Sequence, residues 1–144
     1  MRVWLTALVA LACSGCGDFE IVVPAALSAE VVPSHGSSEV SRDVEIFVFF
    51  SSPVSDRDAA LDDIELECLG APPCQQPSTA ACTVQFPTLS RSFDGPNQTA
   101  RLVPDSSLQA DTCFVVRVQE GIEAADEDVG AFPAEVRSSF QTRP

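Results

Sequence analysis

From residue 28 to residue 142 the apolar positions fall in short runs, with Pro, Gly, Ser, Asp and Asn between them. The clearest run is Val44-Glu45-Ile46-Phe47-Val48-Phe49-Phe50. Val44, Ile46, Val48 and Phe50 fall on one face of an extended chain, with Phe47 and Phe49 on the other. Alternation of β-branched and aromatic residues specifies a strand, because successive side chains of a strand point to opposite sides. The second face is partly apolar. That predicts either cover by another segment or a contact surface, with Phe47 and Phe49 as its candidate residues.

A similar alternation appears in Ile64-Glu65-Leu66-Glu67-Cys68, where both glutamates share the outward face. Seven strands are predicted in all. They cover residues 28–32, 44–50, 64–68, 82–86, 99–103, 112–119 and 136–142, and this spacing is that of a β-sandwich. The first is closed by Pro33 and a Ser34-His35-Gly36-Ser37 turn, the fifth by Pro104. Only residues 56–63 (DRDAALDD) carry a helical signal, of about one turn. Eleven prolines oppose a helical bundle, since Pro breaks helix interiors. The prediction is one all-β domain over residues 28–142.

The first sixteen residues follow another pattern. Arg2 precedes an apolar run over residues 3–12, and Ser14-Gly15-Cys16 follows. A basic start, a short apolar core and small residues predict an export signal. The run is about 10 residues, whereas a spanning helix needs about 20, so no membrane-spanning helix is predicted. The small residues before the cysteine resemble a lipobox, the pattern of bacterial lipoproteins, in which the cysteine is acylated and becomes the new N-terminus. The resemblance implies a signal peptide over residues 1–15 and a lipidated N-terminus with tether over residues 16–27. It also implies attachment to a membrane through the fatty acid, in the bacterial cell envelope, at the periplasmic face or the cell surface. Cys16 is the expected site and Cys13 the alternative. Parity favours Cys16: it leaves Cys68, Cys74, Cys82 and Cys113, an even set suited to two disulfides in an oxidising compartment. Cleavage before Cys13 leaves an odd thiol.

The chain carries 8 basic and 21 acidic residues, a net charge of -13. Such a charge repels nucleic acid and anionic lipid surfaces. No nucleic-acid partner is expected, and the charge serves solubility. All the basic residues are arginines.

Ile46-x-Val48-x-Phe50-Ser51-x-Pro53-Val54 resembles the second-strand signature of bacterial Ig-like modules of the SbsA type, which occur in S-layer proteins, adhesins and envelope lipoproteins. Val32-Pro33-Ser34-His35-Gly36 resembles the segment before that strand. Leu102-Val103-Pro104, Leu108 and Thr112-Cys113-Phe114-Val115-Val116 resemble the fifth and sixth strands, and Ser139-Phe140-Gln141-Thr142 the closing Phe-x-Thr. The acidic segment over residues 123–129 departs from the family, which often has Asp then Gly-Asn there. The resemblance implies a seven-stranded Ig-like sandwich with Cys68 and Cys113 on strands of one sheet. Since some members carry cysteines at similar places, it makes Cys68–Cys113 the first choice of bridge, with Cys74–Cys82 closing the Pro-rich loop. Cys68–Cys74 with Cys82–Cys113, and Cys68–Cys82 with Cys74–Cys113, are the alternatives.

No metal and no cofactor is expected. The cysteine gaps contain no Cys-x-x-Cys pair to clamp zinc, and export favours oxidation over ligation. His35 is the sole histidine, set in a polar turn with no Gly-x-Ser-x-Gly elbow anywhere in the chain. The carboxylates Asp62, Asp63, Glu65 and Glu67 read as solvated charge. The loop of Glu123, Asp126, Glu127 and Asp128 has no EF-hand spacing. Asn97-Gln98-Thr99 fits a glycosylation sequon but reads as a hairpin turn beside Gly95-Pro96. The expectation is a non-catalytic binding or scaffolding domain whose partner is an envelope protein or polysaccharide. The alternatives are a cation-dependent adhesion module using the acidic loop, and a small exported hydrolase or accessory domain of an envelope enzyme using His35.

Overall fold

A computed structural model describes residues 25–75 and 81–144. The signal sequence, Cys13, Cys16 and most of the tether lie outside the described residues. In chain order the elements are β1 (Ala29–Val32), β2 (Ser37–Val40), β3 (Ile46–Phe50), α1 (Arg57–Asp62), β4 (Ile64–Gly70), β5 (Leu89–Asp94), β6 (Thr99–Pro104), β7 (Cys113–Val118) and β8 (Val136–Thr142). They form two four-stranded sheets, ordered β1-β3-β6-β5 and β2-β8-β7-β4. All pairings are antiparallel except β2 with β8, which is parallel. With β2 set aside, the strands count first-second-fifth-fourth in one sheet and seventh-sixth-third in the other, which is Ig-like sandwich topology. Among the described residues no helix is long and apolar enough to cross a membrane.

The core is the inner face of both sheets. Ile46, Val48 and Phe50 of β3 meet Ala100 and Leu102 of β6, and across the gap Ile64, Leu66, Phe114, Val116, Val118 and Phe140. These are the alternating residues of the sequence pattern, so period two selects the buried set. The predicted helical turn is α1. The Asp56 carboxylate caps it by accepting the N–H groups of Asp58 and Ala59. The closing Phe-x-Thr has a physical basis. Phe140 stacks on Phe114 in the core, with ring centroids 5.8 Å apart. The buried Thr142 hydroxyl donates to the Gln109 carbonyl at 2.7 Å and accepts the Thr112 N–H at 3.0 Å.

Two strands differ from expectation, making eight rather than seven. Residues 82–86 alternate in sequence but form irregular chain, touching β4 through one backbone bond from Cys68 N–H to the Gln85 carbonyl. The strand of that region is β5, whose inward residues Leu89 and Phe93 are separated by Arg91, which reaches out to the Leu61 carbonyl. β2 (SSEV) lies outside the seven predicted strands because it carries one apolar residue, Val40.

The first-choice disulfide pairing is corrected. The bridges are Cys68–Cys82 and Cys74–Cys113. β4 and β7 are indeed neighbours, but Cys68 is opposite Phe114 and Cys113 is opposite Gly70. Cys68 therefore points into the core, while Cys113 points out beside Leu69, Val115 and Cys74. The register shift between Cys68 and Gly70, where Gly70 has φ 97°, leaves Leu69 unpaired on the outer side. Opposite faces of one sheet cannot share a bridge, so each cysteine bonds to the long loop that covers its own side.

Candidate contact surface

β3 is central in its sheet, and its two faces have different fates. The outward face carries Phe47 and Phe49, stacked with ring centroids 6.0 Å apart. Phe47 is half-buried and Phe49 is 43% exposed. Val32 of β1, opposite Phe47 in the register, adds a third apolar side chain at 41% exposure. Among the described residues nothing covers this face, so the covered-face expectation does not hold there. The sequence missed Val32, because a four-residue strand shows too little alternation to assign its outward side.

The patch has a polar border. Arg101 of β6 lies opposite Phe47 and donates to both Glu45 carboxylate oxygens, at 3.0 and 2.5 Å. The Arg101 hydrogen bond holds the Glu45 carboxyl below the ordinary range, against the opposing effect of desolvation and with help from the Arg101 charge. Beside the patch lies the edge of the sheet, unpaired along β1 among the described residues. Ser51 N–H donates to the Ser28 carbonyl, which sets the alternation: the backbone groups of Glu30 and Val32 face β3, and those of Ala29 and Val31 face away. An apolar stripe bordering an unpaired strand edge offers both main-chain hydrogen bonds and side-chain contact to an added strand.

The other candidates lie elsewhere. His35 is exposed in its turn, and its Nδ1 is 3.2 Å from both the Ser139 N–H and the Ser139 hydroxyl. The backbone N–H engages the Nδ1 lone pair, so this contact fastens the turn to β8. Glu67 does not stand alone in solvent: it lies 3.6 Å from Arg117, which also donates to Glu135 at 2.8 Å. In the acidic loop Asp126 accepts the Asp128 N–H, a turn that uses the carboxylate on its own backbone. Among the described residues no three His, Cys, Asp or Glu side chains come together to hold a metal ion. Asn97 occupies the β5–β6 hairpin turn with φ 59°, a conformation Asn tolerates.

No protein-family model matches the sequence. No curated protein matches it. Solved structures do resemble the fold. The L,D-transpeptidase LdtMt1, solved in complex with imipenem, aligns with 84% of this chain at 19% identity and a TM-score of 0.50, over 40% of its own length. Domains 1–6 of the surface layer protein SbsC align with 82% of this chain at 13% identity and a TM-score of 0.51, over 14% of that chain. The N-terminal part of SbsC, a bacterial S-layer protein, aligns at 15% identity and a TM-score of 0.50 over 24% of its length. This chain thus spans well under half of each. The likeness is one of fold, a sandwich of two β-sheets.

Proposed function

We propose that this chain is a lipid-anchored protein of the bacterial cell envelope whose single Ig-like domain binds or scaffolds a partner without catalytic turnover. The observation that carries the binding role is the exposed Val32–Phe47–Phe49 stripe beside the β1 edge. Soluble domains seldom leave stacked aromatics on an open sheet face without a use for them. The partner is an envelope protein or polysaccharide, and strand addition at β1 is the mode that the edge supports. Support for the address comes from the lipobox-like start and the two disulfides, which persist in oxidising compartments. The likeness in fold to an S-layer protein and an L,D-transpeptidase agrees with that address.

Two experiments test the reading. Intact mass of the mature protein, with and without reductant, is expected to show an acylated Cys16 at the N-terminus and the mass gain of two opened bridges. An unmodified start or free thiols would defeat the anchor. Capture from envelope extracts, with the wild-type domain against a Phe47→Ser/Phe49→Ser double variant, tests the surface. A partner retained by wild type and lost by the variant is expected; identical recoveries remove this face as the site.

A further inference from the structure

The end of the sandwich opposite Ala25 holds a cup of about 350 Å³. Phe114 lines it from the core, and three loops surround it: the one carrying Arg42, the one carrying Val84 and Pro87, and the one carrying Ser106 and Leu108. The walls are fastened to one another. The Gln109 amide accepts the Thr83 N–H at 2.9 Å and donates to the Ala81 carbonyl at 2.7 Å, pinning two of the loops together. Arg42 Nε donates to the Leu108 carbonyl at 2.7 Å, while Leu108 N–H donates back to the Arg42 carbonyl at 2.8 Å. Cys68–Cys82 ties the same region to the core. Long irregular loops are usually either mobile or functional, and a preformed concave site limits the ordering cost of binding.

Charge gives the cup its specificity. Arg57, Arg91, Arg101, Arg117 and Arg137 each lie within 4.0 Å of a carboxylate. Among the described residues Arg42 and the exposed Arg143 have none, although the chain holds 21 carboxylates, and of these two only Arg42 is half-buried and lines the cup. The neighbouring Asp43 carboxylate is taken up by the Ser107 hydroxyl and Arg42 Nε by the Leu108 carbonyl, so the two Nη groups of Arg42 remain to match an incoming carboxylate. Val84, Pro87, Leu108 and Phe114 form an apolar side of the lining, and the threonines, serines and Gln109 form a polar one; Val84 at the rim and Phe86 beside it are 55% and 54% exposed. Loops on three sides with Phe114 at the base receive the end of a chain more readily than a segment passing through.

We propose that this cup binds the C-terminus of a partner polypeptide, with the terminal carboxylate on Arg42 and an apolar last side chain against Val84, Leu108 and Phe114. The site is separate from the β3 face and independent of the anchor. Its test uses the purified mature chain and a fluorescein-labelled Gly-Gly-Ala-Leu probe, as free acid and as carboxamide, followed by anisotropy. The free acid is expected to bind saturably and the amide about tenfold more weakly. Arg42→Gln is expected to erase that difference, and Val84→Ser to weaken the free acid while keeping the preference for it. Thermal melts identify any variant that fails to fold, and the two probes on wild type decide the matter without variants. Equal binding of acid and amide, binding of neither, or displacement of the peptide by hexanoate at equal concentration would overturn the proposal.

Discussion

At the scale of single residues, Thr142 and Glu135 each do one definable thing. The Thr142 hydroxyl is buried, donating to the Gln109 carbonyl and accepting the Thr112 N–H. Thr142→Ala strands that N–H and carbonyl, and urea unfolding should show a loss of about 1–3 kcal/mol. Glu135 is held below the ordinary carboxyl range first by its hydrogen bond from Arg117, then by the charges of Arg117 and Arg137, with partial burial opposing them. A carboxyl lowered in the folded state adds stability that is complete above its unfolded value, about 4.3, and vanishes as pH falls through the folded value. Wild type and Glu135→Gln should therefore differ by a constant amount at neutral pH. The gap should close below about pH 4, as read by thermal melts across pH.

At the scale of elements, the disulfides replace regular structure where the chain leaves the sheet. Cys74–Cys113 closes 39 residues and Cys68–Cys82 closes 14. In the chain-entropy account these contribute about 4 and about 3 kcal/mol, so Cys74→Ala/Cys113→Ala should cost more in chemical unfolding than Cys68→Ala/Cys82→Ala. A smaller loss for the longer bridge would show that the entropic account fails here. Sequence revealed β3, β6 and β8 because each buries one face and leaves the other at least partly open, which writes period two into the chain, whereas β7 is buried on both faces over Cys113–Val116 and reads as a continuous apolar run. β5 was illegible because Arg91 sits at an inward position at the sheet edge. Residues 82–86 misled because Cys82, Val84 and Phe86 alternate while serving a bridge and a cup rim. The pairing failed for a related reason: strand neighbours can be inferred from pattern, but the bulge at Leu69 and the face taken by Cys113 depend on register. Of the contact surface, Phe47 and Phe49 were readable as an apolar outer face. Val32 and the Arg42 cup needed the assembled loops.

At the scale of the whole molecule, the two ends differ. Ala25 and Leu27 are fixed at one end by backbone bonds to Gly130, beside α1 and the loop of Glu123, Asp126, Glu127 and Asp128. Asp56, Asp58, Asp62 and Asp63 add to this acidic end. The cup lies at the other. With acylation at Cys16, the stretch of about nine residues to Ala25 reaches at most roughly 30 Å, so the acidic end stands nearest the bilayer and the cup faces outward. Repulsion between carboxylates and anionic headgroups would then hold the domain upright on its tether, an effect that salt screens over about 10 Å. The arrangement depends on which cysteine carries the lipid, and detergent phase partitioning decides that. Cys16→Ala should move the protein to the aqueous phase without lowering the melting temperature of the domain, because the described core lies wholly beyond residue 24. Cys13→Ala should leave it in the detergent phase. The reverse result would place the lipid on Cys13, lengthen the tether, and leave Cys16 as a thiol without a partner in either bridge.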